Sequence, residues 1–286
     1  MAIKIGINGF GRIGRLALRA AFGWQHIEFV QINDPAGNAE TLAHLLKYDS
    51  VHGTWTHAVT HDDNHIIVNG QAIHVTQNKA ISDTDWSKCD VVIEASGKMK
   101  QTKLLQSYLN QGVKKVVVTA PVKETGVLNI VMGVNDHLYD GEQHAIVTAA
   151  SCTTNCIAPV VKVLQDKIGI KHGSITTIHD ITNTQTILDA PHKDLRRARA
   201  SSMSLIPTTT GSATAITHIF PELTGKLNGH AVRVPLANAS ITDCVLERQR
   251  PTEETENSAW KREAARDELN DMRGYEEKQL VSRDYK

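Results

Sequence analysis

Residues Ser151-Cys152-Thr153-Thr154-Asn155-Cys156 set a thiol among small hydroxylic side chains, immediately before the apolar run Ile157 to Leu164. That pattern predicts a helix N-terminus, where unpaired amide donors and a partial positive charge favour thiolate over thiol. Cys152 is therefore a candidate nucleophile, and a buried structural cysteine is the alternative that the segment alone leaves open. Thiol catalysis also needs a base. His179 closes the strand-like run Gly173 to Ile178 and is followed by Asp180-Ile181-Thr182-Asn183-Thr184-Gln185, and an imidazole titrates in the useful range. The chain has 14 histidines, so spacing alone does not single out His179 over His172 or His192. Downstream lie Lys193-Asp194-Leu195-Arg196-Arg197-Ala198-Arg199, Thr208-Thr209-Thr210-Gly211 and Arg233. Guanidinium forks and hydroxyl donors of this kind suit a phosphate, while the plain structural reading is a solvated charged loop.

A second chemical signal is Gly9-Phe10-Gly11-Arg12-Ile13-Gly14, directly after the first strand-like run and opening the first helical one. Glycines there permit a tight turn and let a pyrophosphate approach the helix amides. Asp34 follows twenty residues after Gly14, where a carboxylate can accept from both ribose hydroxyls and repel a 2′-phosphate, so NAD is expected over NADP.

The elements that must hold these residues fall into two halves. Ile3 to Ile7, Ile27 to Ile32, Val91 to Ala95 and Val116 to Thr119 read as buried strands, and Gly11 to Phe22 and Ala39 to Tyr48 as helices. An alternating hairpin, His65 to Val68 and Ala72 to Thr76, turns at Asn69-Gly70-Gln71. From Ser151 onward the segments Gly173 to His179, His230 to Pro235 and Ser240 to Glu247 alternate over longer stretches, with Ser258 to Met272 a polar exposed helix. The fold expected is α/β: a Rossmann-type parallel-sheet domain over 1–150, then an α+β catalytic domain with a mostly antiparallel sheet over 151–286. Lys and Arg number 31 against 31 Asp and Glu, so no net field draws nucleic acid or an anionic membrane. No signal-type or bilayer-length apolar stretch occurs, which predicts a cytoplasmic protein. The four cysteines, Cys89, Cys152, Cys156 and Cys244, read as reduced thiols, with no zinc-ligand spacing and no metal expected.

Taken together, Ile7-Asn8-Gly9-Phe10-Gly11-Arg12-Ile13-Gly14-Arg15, Ala150-Ser151-Cys152-Thr153-Thr154-Asn155-Cys156, the Lys193 to Arg199 loop, Thr208-Thr209-Thr210-Gly211 and Arg233-Val234-Pro235 resemble the phosphorylating glyceraldehyde-3-phosphate dehydrogenases, in family order over nearly the whole chain. The resemblance implies that Cys152 attacks the aldehyde and His179 acts as base, giving a thiohemiacetal and then a thioester that phosphate cleaves to 1,3-bisphosphoglycerate. It implies NAD held by Asn8, Gly9, Phe10, Gly11, Arg12, Ile13, Gly14, Asp34, Ser96, Gly97 and Thr119. Thr182 and Arg233 are assigned to the phosphate of glyceraldehyde 3-phosphate, and Ser151, Thr153, Arg197, Thr210 and Gly211 to attacking inorganic phosphate, a site that arsenate also fits. The resemblance further implies a homotetramer in which an S-shaped loop, Asp180 to Ser202, meets its neighbours.

Two departures bear on these expectations. Asp189-Ala190-Pro191 carries alanine where strictly NAD-dependent relatives often have leucine, which loosens the exclusion of NADP. The sequence ends at Lys286, where relatives continue for a few dozen residues, and this raises the expectation of low turnover for a chain of this length. Three other readings follow: a dehydrogenase of a related phosphorylated aldehyde such as erythrose 4-phosphate; an arsenate-using branch making 1-arseno-3-phosphoglycerate, suggested by Gln31 to Glu40; and an inactive NAD-binding protein, against which intact Cys152 and His179 argue.

Overall fold

The computed structural model describes residues 2–124, 126–266, 269–270 and 274–285. The chain folds as two compact units, one of residues 1–130 and 138–150, the other of residues 131–137 and 151–286.

In the first unit the chain runs β1 (Ile3–Asn8), α1 (Arg12–Ala21), β2 (Ile27–Asn33) and α2 (Ala39–Lys47). A small ladder of β3 (Tyr48–Asp49) and β4 (Gly53–Thr54) follows, then β5 (Val59–His61), β6 (His65–Val68) and β7 (Gln71–Thr76). The unit closes with β8 (Val91–Glu94), α3 (Thr102–Leu109), β9 (Lys115–Val118), β10 (Leu128–Asn129) and β11 (Ile146–Thr148). Nine strands form one sheet in the order β10-β11-β9-β8-β1-β2-β7-β6-β5. All its pairings are parallel except β5 with β6 and β6 with β7. Parallel strands need covered faces. Ile5 and Ile7 of β1 pack with Leu18, Leu42 and Leu46 of the first two helices, while Val92 and Val116 pack with Trp86, Leu105 and Tyr108 on the other side. Each such aliphatic side chain contributes roughly 1.5–3 kcal/mol when withdrawn from water.

The hairpin turn holds only two residues, because Gln71 already pairs with Val68. Asn69 and Gly70 both have positive φ, 49° and 87°, the geometry that matches strand twist in a two-residue loop. The pairs β10 and β11 escape the sequence reading because two or three residues are too few to show a period of two.

The second unit opens with α4 (Cys152–Ile168) and β12 (Ile170–His179), followed by β13 (Ile206–Thr208), α5 (Ser212–Ile219), β14 (Leu227–Arg233), β15 (Ser240–Arg248) and α6 (Glu254–Arg266). Its sheet has the order β13-β14-β12-β15; β12 runs parallel to β14, and the other two pairings are antiparallel. Ile175, Thr177 and His179 lie buried on one face of β12, and Ile178 is exposed on the other. The last helix starts at Glu254, earlier than the expected Ser258, and part of the expected range, including 267–268 and 271–272, lies outside the described residues, as does Lys286. An acidic first turn with Glu254 and Glu256 suits a helix N-terminus, a signal that apolar periodicity does not carry.

Candidate active site

Cys152 is the first residue of α4, and Ser151 is its N-cap: the Ser151 hydroxyl oxygen accepts from the Thr154 amide at 3.1 Å and lies 2.7 Å from the Thr154 hydroxyl. Ala150, just before the cap, has φ +53°, a conformation costing a non-glycine residue about 1–2 kcal/mol. The strain sits where the chain must turn sharply to present the thiol. The Cys152 side chain is exposed, with its Sγ 3.3 Å from His179 Nε2 and 4.0 Å from Thr153 Oγ1. Cys156, one turn on, faces Thr242 instead.

His179 ends β12, and register places it beside Arg233 on β14 and Ser240 on β15. Its Nδ1 lies 2.5 Å from the Asp180 Oδ1 and 2.9 Å from the Asp180 carbonyl. Arg233 Nη1 is 2.9 Å from the same nitrogen and 2.8 Å from the Asp180 carbonyl. A guanidinium only donates, so with Nδ1–H donating to Asp180, Arg233 donates to the carbonyl and Nε2 is left to accept from the thiol. Hydrogen bonding to Asp180, then to Cys152, pushes the His179 pKa up to about 9. The His179 hydrogen bond holds the Cys152 thiol below its ordinary 9.0 against the opposing effect of burial. The two directions both favour a thiolate–imidazolium pair.

Arg233 meets this pair, and Arg197 lies near Arg233. Burial, then Arg197, lowers the Arg233 pKa, while Cys152 and Asp180 pull it up. Arg233 Nε is buried with no hydrogen-bond partner, an orphan donor that an anion would satisfy. Arg197 donates to Thr184 Oγ1 at 2.9 Å, and Thr184 in turn meets Thr182 Oγ1 at 3.1 Å. Thr182 and Arg197 therefore belong to one loop network. Of the hydroxyls expected at an anion site, Thr153 is buried, Ser151 and Thr210 are half-buried, and Thr182 is exposed and joined through Thr184 to Arg197. Thr210 and Gly211 follow β13, and Gly211 caps α5 with open space where a Cβ would stand.

In the first unit the glycine turn divides its labour. A Cβ on Gly9, whose φ is +90°, would stand 2.4 Å from the Ser96 amide nitrogen, and one on Gly14 would stand 2.1 Å from the Gly9 carbonyl oxygen. These two glycines allow backbone to touch backbone. A Cβ on Gly11 or Gly97 would meet nothing within 4 Å, so that space is open to a ligand. Gly11 is the N-cap of α1, has no side chain to offer, and is followed by a first turn without acidic residues. The positive helix end is left for an external anion. Phe10 and Ala36 amides donate to the two Asp34 carboxylate oxygens at 2.7 and 2.9 Å, which fixes its plane and leaves each oxygen a further lone pair for a ribose hydroxyl. Arg12 and Ile13 are exposed, and Thr119 donates its amide to the Glu94 carbonyl. These residues fit a dinucleotide.

The Asn8 side chain is engaged within the unit. It is buried, donating to Glu94 Oε2 at 2.7 Å and accepting from Asn33 at 2.8 Å. Glu94, 1% exposed, also accepts from Tyr108 Oη at 2.6 Å, from the Ser96 amide at 2.8 Å and from the Ser96 hydroxyl at 2.5 Å. Burial, then Glu94, pushes the Tyr108 phenol above its ordinary 10.0, so it stays a donor. Glu94 thus ties the residue before Gly9 to the residue on which Gly9 rests. A charged residue ending the buried run Val91-Val92-Ile93 was the sequence signal for it.

Among the described residues no group of three His, Cys, Asp or Glu could hold a metal, and no helix is long and apolar enough to cross a membrane. Residues 3–102 match the family model described as glyceraldehyde 3-phosphate dehydrogenase, NAD binding domain, and residues 151–286 match the C-terminal domain of the same enzyme. The chain is 58% identical to glyceraldehyde-3-phosphate dehydrogenase 3 of a Nostoc species, the match covering 100% of this chain and 86% of that relative. It is 50% identical to glyceraldehyde-3-phosphate dehydrogenase 1 of Bacillus cereus, over 99% of this chain and 84% of the relative, and 49% identical to dehydrogenase 1 of Bacillus subtilis, over 100% and 85%. With a thiol–imidazole pair in one unit, a glycine cradle with its tethered aspartate in the other, and these matches along both, the chain belongs to the glyceraldehyde 3-phosphate dehydrogenase family.

Proposed function

We propose that this protein oxidises glyceraldehyde 3-phosphate, with NAD and inorganic phosphate, to 1,3-bisphosphoglycerate, residues 1–150 holding the cofactor and 151–286 the chemistry. The observation that carries the reading is the 3.3 Å contact between Cys152 Sγ and His179 Nε2 at the start of α4, with a desolvated Arg233 beside it. Cys152 thiolate adds to the aldehyde carbon while the His179 Nε2 proton passes to the carbonyl oxygen, giving a thiohemiacetal. Nε2 then takes the hydroxyl proton back, so the carbon can release hydride and close to a thioester. Bound NAD supplies the hydride acceptor, held by the Gly9–Gly14 turn and Asp34. Arg233 and Thr182 hold the phosphate of the substrate, and Ser151, Thr153, Arg197, Thr210 and Gly211 receive the phosphate that attacks the thioester.

A homotetramer is part of this proposal. Ile187, Leu188, Leu195, Met203 and Leu205 are exposed on the loop after β12, and Ile178, Ile241 and Val245 on the outer face of β12 and β15. Apolar surface of that extent favours self-association, and light scattering should return four times the 31.4 kDa chain mass. Thiolate catalysis requires a reduced Cys152, which suits the cytoplasm. The enzymatic reading is tested by following NADH absorbance with the aldehyde and with or without phosphate. Sustained, phosphate-dependent NADH formation is expected, and its absence with fully alkylatable Cys152 would leave only a binding role.

A further inference from the structure

From the side chain that meets the far nitrogen of His179 we infer that Asp180 is a positioning residue of the reaction, completing a Cys152–His179–Asp180 relay in which its carboxylate holds the imidazole as the Nδ1–H tautomer and aims Nε2 at the thiol. The inference rests on the reading of Cys152 as nucleophile given above. A thiol, an imidazole and a carboxylate meet in sequence: Sγ to Nε2 3.3 Å, Nδ1 to Oδ1 2.5 Å. Both His179 and Asp180 are 7% exposed, so water does not compete for the Nδ1 proton.

The main chain alone would not do the same work. The Asp180 carbonyl also accepts from Nδ1, but at 2.9 Å and while accepting from Arg233. A neutral carbonyl shared with a guanidinium fixes the ring but offers little to an imidazolium. The carboxylate offers a full charge at the atom where positive charge develops. The charged or titratable groups facing His179 are Cys152 from α4, Asp180 beside it and Arg233 from β14, with Arg197 behind Arg233; Ser240, its register partner on β15, carries no charge. Arg233 opposes protonation of the ring, and Asp180 outweighs it. No atoms are exchanged with Asp180: the thiol proton moves to Nε2, and the Nδ1 proton stays.

The sign of the pH effect follows. With Asp180 present, His179 stays protonated until about pH 9, and Cys152 is thiolate from below its usual 9.0. Removing the carboxylate lets the His179 pKa fall towards its ordinary 6.5. The thiol then loses its cationic partner at neutral pH and its own pKa rises. In Asp180→Asn, which keeps an acceptor oxygen and removes the charge, and in Asp180→Ala, the pH midpoint for iodoacetamide alkylation of Cys152 should move up by about one unit, a tenfold loss of thiolate on the acid side. An unmoved midpoint in folded variants would overturn the inference, whatever happens to melting temperature. Should both variants misfold, long-range 1H–15N spectra of the unmutated protein decide. The proton on Nδ1 should persist through the titration near pH 9 and Nε2 lose its own, and a neutral ring protonated on Nε2 would refute the relay. Alkylation and tautomer are read without turnover, so a protein that shows both results but makes no NADH would sink the dehydrogenase reading and leave the relay standing.

Discussion

Replacing Glu94 with glutamine removes one acceptor oxygen from a buried site where four donors converge, and the structure sets what that costs. Oε1 takes the Ser96 amide and hydroxyl, and Oε2 takes Asn8 Nδ2 and Tyr108 Oη. An NH2 group at the Oε1 position would oppose a main-chain N–H that cannot turn. At the Oε2 position it would oppose Asn8 Nδ2, and flipping Asn8 would set two amide nitrogens face to face at Asn33. Hydrogen bonds to a charged acceptor are worth roughly 1.5–3 kcal/mol each, and one stranded donor costs about 1–3 kcal/mol more. Glu94→Gln should therefore lose about 3–5 kcal/mol, a drop on the order of 10 °C in the melting temperature of a unit this size. Because Gly9 rests on Ser96, the glycine turn shifts as well, and NAD affinity by calorimetry should fall about tenfold, or roughly 1.4 kcal/mol. Tyr108→Phe strips one of the two donors from Oε2 and leaves the Asn8 and Ser96 contacts in place; it should cost about 1 kcal/mol and leave NAD affinity unchanged. If Glu94→Gln binds NAD as tightly as the parent, Glu94 does not position the turn and the reasoning fails.

Other perturbations separate the remaining parts. Gly11→Ala should fold with an unchanged melting temperature yet bind NAD at least about tenfold more weakly, since its Cβ enters open space; Gly14→Ala, driven into the Gly9 carbonyl, should fail to give a stable fold in thermal melts. Ser151→Ala removes the cap of α4 and should cost about 1 kcal/mol by denaturant titration. Arg233→Met should raise KM for glyceraldehyde 3-phosphate by a hundredfold or so, a loss of about 2.7 kcal/mol, while turnover of glyceraldehyde without its phosphate changes far less.

Chain-local chemistry was legible in the sequence, and packing was not. The glycine turn, the distance to Asp34 and the thiol before an apolar helix all sit within short stretches whose spacing carries their geometry. The partnership of Cys152 with His179 depends on α4 and β12 packing together, and no spacing encodes it; the family resemblance supplied the role. Asp180 was visible beside His179 but silent, because a strand's successive side chains point apart and only the turn after β12 brings its carboxylate back to the ring. Asn8 sat in the right motif and yet points inward, since β1 and β8 pair Asn8 with Glu94, a contact 86 residues apart in the chain. The long alternation of β12, β14 and β15 gave the second sheet, while the parallel pairing of β12 with β14 needed the register.

The covalent role of Cys152 is tested most directly by a single turnover without phosphate. Mixing the protein with excess NAD and glyceraldehyde 3-phosphate should give a burst of one NADH per chain and a peptide carrying a phosphoglyceryl thioester on Cys152, and adding phosphate should discharge it and restart NADH formation. A burst that leaves Cys152 unmodified, or that survives Cys152→Ser, would contradict the account.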